Sequence, residues 1–261
     1  MQFWLRMIGA CVLFGLGVLW GGLVWLATRS VRRVRRAVSA VMAGPVCRIL
    51  RFSVRVQGGE RLEGLGAFVL IANHQSLACH MVLAHLYRRV HDMIVVGKLV
   101  GKWNIPVVVQ LFRLTGNIIV DPGRHFRSGR ALLQGVAALR AGTSVALYPE
   151  GTRRKDTRQL GPFHRGAFVL AIDAGVPLVP VVVSRFKPRM DVDARRLLPQ
   201  TVRIRVLQPI ATSGMTRDDT DRLRDLAAQR MQAVLDADEA ERAAGGALVQ
   251  ESPPRRAASG G

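Results

Sequence analysis

The chain has 261 residues, 49% of them hydrophobic, which suits one sizeable folded unit with appendages and excludes a disordered or fibrous protein. Its 38 Lys and Arg against 18 Asp and Glu give a net charge of +20, a balance that seeks polyanions: nucleic acid, an anionic membrane leaflet or phosphorylated substrates. The three cysteines, Cys11, Cys47 and Cys79, are an odd set without metal-ligand spacing, which argues against a disulfide scaffold or a zinc site and fits a reducing compartment.

At the N-terminus, Met7 to Ala27 contains no charged residue. At ~1.5 Å rise per residue such a helix crosses a hydrocarbon core of ~30 Å. Arg29, Arg32, Arg33, Arg35 and Arg36 follow at once, and only Arg6 precedes it. The positive-inside rule then puts the C-terminal bulk in the cytoplasm. A cleaved signal peptide has a basic start and a shorter apolar centre. The reversed order here predicts an uncleaved transmembrane or membrane-embedded helix. The Arg cluster reads as a topology signal, a patch for anionic lipid headgroups, or both.

Beyond this flank, Val54 to Val56 and Val202 to Val206 alternate apolar and basic residues, the pattern of half-exposed strands toward sheet edges. Ala67 to Ala72, Met93 to Gly97, Ser144 to Tyr148 and Leu178 to Val183 are continuous apolar runs, which predicts strands buried on both faces. Helices are expected near Leu77 to Arg89, Gly101 to Leu114, Ser128 to Ala141 and Gly166 to Ala174. Strands alternating with helices predict an α/β fold with a largely parallel sheet flanked by helices. Pro180, inside an apolar strand, suggests a sheet edge, a bulge or a strand start. A last helix starts near Thr216, where Thr216 and Asp219 have capping-box spacing. Leu223, Leu226, Ala227, Met231, Val234 and Leu235 give it one apolar face. After Ala244 the composition turns to Gly, Ala, Ser and Pro, read as a disordered tail. The domains expected are 1–36, a membrane anchor with its basic flank; 37–244, the folded unit; and 245–261, the tail.

Two islands carry chemistry. Asn73-His74-Gln75-Ser76 follows a buried strand, where α/β proteins place their ligands. A neutral imidazole there can take a proton from an alcohol, and a His that merely satisfies a loop hydrogen bond would occupy the same place. Ser76 is suited to cap the next helix. Tyr148-Pro149-Glu150-Gly151-Thr152-Arg153-Arg154-Lys155 also follows a buried strand. Glu150 can hold a hydroxyl or orient an Arg, Gly151 allows a turn or close approach, and Arg153 offers a planar fork for phosphate. A basic surface loop with a turn glycine is the plain alternative.

Asn73 to Ser76, Gly116 to Asp121, Pro149 to Arg153 and Val179 to Val181, in that order, resemble the four blocks of the glycerolipid acyltransferases, in particular the 1-acyl-sn-glycerol-3-phosphate acyltransferase family. The resemblance runs from the N-terminal helix to about Ala244. It implies that His74 acts as general base on a lysophosphatidate hydroxyl, which attacks the thioester of acyl-CoA or acyl carrier protein. It implies that Glu150, Gly151, Thr152 and Arg153 form the acceptor-phosphate site, with Lys98 assisting. No metal or redox cofactor is implied, and nucleic acid is not an expected partner, since no aromatic stacking platform accompanies the charge. The implied location is a bacterial-type inner membrane with the catalytic unit facing the cytoplasm.

The chain departs from the family pattern of His, four residues, then Asp. Cys79 stands in the Asp place, and His80 takes it if one residue has been inserted. Neither is a carboxylate. In the family that Asp holds the imidazole in its productive tautomer. Pro122 replaces an Arg after Asp121, with Arg124 two residues on, and His164 stands where Lys is common. The alternative to an active enzyme is a catalytically weakened, lipid-binding relative.

Overall fold

The computed structural model describes residues 2–76, 78–97, 112–120, 125–154, 156–191 and 194–250. Helix α1 (Gln2–Thr28) turns back at Arg29 into α2 (Val31–Val41), whose first turn is capped by Ser30. A π-helical turn, Met42–Val46, and the short α3 (Cys47–Ile49) lead into β1 (Phe52–Gln57). There follow β2 (Val69–Ala72), α4 (Ala78–Leu83), β3 (Met93–Gly97), β4 (Ile118–Ile119) and α5 (His125–Arg140). Then come β5 (Ser144–Leu147), α6 (Gly166–Ala174), β6 (Leu178–Val183), β7 (Met190–Asp191), β8 (Arg196–Leu197), β9 (Gln200–Val206) and α7 (Thr220–Gln250).

Among the described residues, seven strands form one sheet in the order β1-β9-β6-β2-β5-β3-β4. All its pairings are parallel except β6 with β9. Because β2 and β6 are central, successive side chains enter different cores, and both faces must be apolar. Leu70, Ala72, Val179 and Val181 pack toward α3 and α4; Val69, Ile71 and Val182 pack toward α5, α6 and α7. On α7, Leu223, Ala227, Met231 and Leu235 are fully buried, each large side chain contributing ~1.5–3 kcal/mol. The Thr216–Asp219 capping box is present and opens a short 3-10 turn ahead of α7.

Three expectations are corrected. Pro180 lies in the buried, central β6. Its missing N–H is tolerated because the β6–β9 ladder begins only at Val181, and Pro180 contributes its carbonyl to the N–H of Leu207 at 2.9 Å. The alternating strands lie where expected: β1 is an edge strand, β9 is next to it, and both are half-exposed. Arg205 pairs with Asp238 of α7 at 2.6 Å, and both arginines pair with Glu241. The stretch Leu77 to Arg89 is not one helix: α4 ends at Leu83 and a 3-10 turn covers Leu86–Arg88. Finally, α7 runs past Ala244 to Gln250: extending a formed helix costs far less than nucleating one, even across Gly245 and Gly246. The helix expected over Gly101 to Leu114 lies mostly outside the described residues.

The N-terminal pair is built for close approach. A Cβ on Gly17 would meet Val41 at 3.0 Å, and one on Gly21 would meet Val38 at 3.0 Å. The outer side of α1 leaves Leu5, Ile8, Val12, Leu16, Leu19 and Leu23 exposed. The basic flank is not wholly a surface patch. Arg35 turns inward to a bidentate pair with Asp92, its Nε at 2.9 Å from Oδ1, and donates to the Thr115 carbonyl at 2.7 Å. Arg36 donates to the carbonyl of His91 at 3.2 Å. These bonds dock α2 on the body of the sheet.

Candidate active site

Because β2 and β5 are adjacent and parallel, the segments leaving them emerge side by side at one rim of the sheet. Their backbones are clasped. The N–H of His74 donates to Glu150 Oε1 at 3.0 Å, and the N–H of Arg154 donates to the His74 carbonyl at 3.0 Å. Asn73 prolongs the β2–β6 ladder with its side chain, donating to the Val183 carbonyl at 3.0 Å and accepting the Val183 N–H at 2.8 Å. Gln75 does the same one step on, accepting the N–H of Phe186 at 3.1 Å. Ser76 Oγ accepts the N–H of Ala78 at 3.0 Å and so caps α4.

The imidazole of His74 lies flat on the ring of Tyr148, with centroids 4.0 Å apart and planes 14° apart. His80 meets both rings edge-on, and its Nδ1 is 3.4 Å from the Tyr148 hydroxyl. His74 Nδ1 is buried without a hydrogen-bond partner among the described residues. Its Nε2 is therefore the nitrogen left to the cleft. Burial, together with His80 and Arg153, pushes the His74 imidazole down to about 3, and burial pushes His80 down to about 4. Both are neutral at neutral pH, the form that accepts a proton.

A cleft of about 1310 Å³ joins the predicted residues. His74, His80, Gly151, Thr152 and Arg153 line one part of it. Phe14, Val18 and Trp25 of α1, with Val31, Val34 and Val38 of α2, wall another part. One space thus offers an imidazole, a guanidinium and a long apolar wall. Arg153 is exposed to the cleft and has no carboxylate partner among the described residues. Gly151 has φ +62, and a Cβ there would lie 2.9 Å from the His164 ring, which also lines the cleft.

Two predicted residues sit elsewhere. Glu150 does not line the cleft: its side chain is 1% exposed, and Oε2 accepts the Gly161 N–H at 3.2 Å beside Arg154. Burial raises its carboxyl above the ordinary value, opposed by these N–H groups and Arg154. Cys79 is fully buried, and Sγ accepts the N–H groups of Gln75 at 3.3 Å and Ser76 at 3.4 Å. Burial pushes its thiol up to about 11, so it carries no charge that could replace a carboxylate. Lys98 lies outside the described residues, as do Asp121, Pro122 and Arg124. No cluster of metal-ligating side chains occurs among the described residues.

Sequence reasoning missed Tyr148 as a partner of His74 and Arg35 as a lining residue of the cleft. The place of Tyr148, directly after a buried strand beside the strand carrying His74, was the available signal for the first.

Comparison with known proteins bears on this site. A family model described as Acyltransferase matches residues 53–184. The 1-acyl-sn-glycerol-3-phosphate acyltransferase of Escherichia coli is 32% identical over 210 residues, covering 78% of this chain and 83% of that protein. Human 1-acyl-sn-glycerol-3-phosphate acyltransferase beta is 33% identical over 177 residues, covering 67% of this chain and 62% of its own. The crystal structure of the 1-acyl-sn-glycerophosphate (LPA) acyltransferase, PlsC, from Thermotoga maritima superposes with a TM-score of 0.70 at 21% identity, covering 91% of this chain and 97% of that one, which fixes the fold.

Proposed function

We infer the reaction from the family, for the chain belongs to the acyltransferase family of the 1-acyl-sn-glycerol-3-phosphate acyltransferases. It is an enzyme that transfers an acyl group from a thioester donor to lysophosphatidate, yielding phosphatidate. The observation that carries this reading to particular residues is the shared cleft: His74 and Arg153 face the same space, whose far wall is apolar.

His74 Nε2 accepts the proton of the free glycerol hydroxyl as its oxygen attacks the thioester carbonyl. The tetrahedral intermediate expels the thiolate, and the imidazolium returns the proton to that sulfur. Arg153 pairs with the acceptor phosphate, its planar fork matching two phosphate oxygens. The backbone of Gly151 and Thr152 shapes the same end. Acyl-CoA or acyl carrier protein serves as donor, and the step as written uses no metal or redox cofactor. Acyl chains lie against the apolar wall from α1 and α2.

The apolar helix α1 associates the enzyme with a membrane. The finer assignment is to a bacterial-type inner membrane, with the catalytic unit on the cytoplasmic side and Arg29, Arg32 and Arg33 near anionic headgroups. The Nδ1 of His74, unpartnered among the described residues, favours a slower enzyme than one with the motif carboxylate. Incubating purified protein in mixed micelles with lysophosphatidate and a labelled acyl thioester tests the proposal. Labelled phosphatidate above the protein-free background is expected. Background-level transfer with intact lysophosphatidate binding would assign the chain to the weakened, lipid-binding reading instead.

A further inference from the structure

A general base needs two things from its surroundings: a fixed ring plane, and support for the charge it takes up. A carboxylate on Nδ1 supplies both. Here Cys79 stands in the carboxylate place, and its sulfur is spent on the backbone N–H groups of Gln75 and Ser76. What touches the imidazole is Tyr148, stacked at 4.0 Å and 14°. We propose that Tyr148 is the positioning residue of His74, holding the imidazole plane by stacking, while His80 secures the tyrosine through its hydroxyl.

The mounting supports this role. Register pairs Ile71 with Leu147, so Tyr148 leaves β5 beside the point where β2 delivers His74. Both rings therefore sit just past the ends of adjacent central strands, His74 two residues after β2 and Tyr148 one residue after β5. Stacking fixes the plane in which Nε2 meets the hydroxyl. The negative face of the phenol ring also lies against the positive charge that forms when His74 accepts the proton. His80 meets Tyr148 edge-on at 5.1 Å and places Nδ1 at 3.4 Å from its hydroxyl, which limits rotation of the phenol. A stack does not select the imidazole tautomer as a carboxylate does. The arrangement thus replaces one part of the missing Asp, namely orientation.

This inference rests on His74 being the base, so the experiment separates the two. Steady-state transfer by the full chain in mixed micelles is measured from pH 3 to 9 for the wild type, Tyr148→Phe, Tyr148→Leu and His74→Ala. Phe keeps the stack and should hold kcat within about threefold; Leu removes it and should lower kcat ~30-fold, with acceptor KM within about twofold. Leu also admits water to the imidazole; burial is the largest cause of its low value, so this outweighs the lost ring face and the acid limb of kcat/KM should move up from near pH 3. A purely structural role would leave that limb where it is. Wild-type kcat and an unmoved acid limb in folded Tyr148→Leu, with His74→Ala inactive, overturn the positioning role and leave the base in place. Full turnover by His74→Ala overturns both. Circular dichroism establishes folding; if Leu does not fold, Tyr148→Phe decides, and a loss beyond about tenfold there overturns the stack as the source of orientation.

Discussion

The carboxylate of Glu150 accepts the backbone N–H of His74 at 3.0 Å, so the segment after β5 holds the segment after β2 from behind the cleft. Its second oxygen takes the N–H of Gly161 at 3.2 Å. Gln has only one acceptor oxygen and cannot serve both donors. Glu150→Gln should therefore lower stability by ~1–3 kcal/mol, the cost of a buried donor left unmade, and lower kcat because the His74 backbone loosens. Denaturant unfolding checks the first and transfer kinetics the second. Glu150→Gln with unchanged stability would remove the clasp.

Arg153 and Arg154 should part company in a kinetic comparison. Arg153→Ala removes a charge-assisted contact worth ~1.5–3 kcal/mol, so the acceptor KM should rise ~10–100-fold with the donor KM unchanged. Arg154 lies 3.8 Å from Glu150, so Arg154→Ala should lower stability more than it raises the acceptor KM. Equal acceptor KM values for wild type and Arg153→Ala would take Arg153 out of the phosphate site.

Gly151 is held at φ +62 with His164 over it. Gly151→Ala should cost ~1–2 kcal/mol for the left-handed backbone and displace the His164 ring from the cleft. Melting temperature and kcat/KM should fall together.

Cys79→Asp should raise kcat if that place can orient His74; in serine-protease triads the corresponding carboxylate is worth roughly 10⁴-fold. The gain should come with a loss of stability, because Cys79 is wholly buried. A gain from His80→Asp alone would move the orienting place one residue on, to the ring already 5.9 Å from His74.

Acid should destabilise the protein through its buried histidines. His80 is pushed down to about 4 and His74 to about 3, whereas unfolded histidines titrate near 6.5. Between these values the unfolded chain binds more protons, so stability is complete above about pH 6.5 and is lost as pH falls toward 4. Glu150, with its raised carboxyl, works in the opposite direction. His80→Asn should flatten the acid limb of stability against pH, measured by denaturant unfolding at pH 7 and pH 5. An equal slope in both proteins would mean His80 titrates normally.

Much of the sheet was legible because burial on both faces leaves continuous apolar runs such as Leu178 to Val183. Gly166 to Ala174 was placed to the residue, because Gly175 ends it in the left-handed conformation. The islands at His74 and Arg153 were legible for the same reason, each following a buried strand. Partners were not. Periodicity reports which face a residue takes, not what crosses to meet it. Arg35 finds Asp92 57 positions away, and Glu150 finds His74 76 positions away. A Glu in a basic loop therefore read as a ligand group, although its charge is used inside the fold. Pro180 read as marking an edge, a bulge or a strand start because the ladder's starting point depends on β9, which no local pattern fixes.

The most direct measurement is transfer by His74→Ala under conditions where lysophosphatidate binding is followed separately. Removing the base should lower kcat ~10²–10⁴-fold while the acceptor still binds through Arg153. Wild-type turnover in that variant, in folded protein at saturating substrate, would contradict the assignment of the proton transfer to this imidazole.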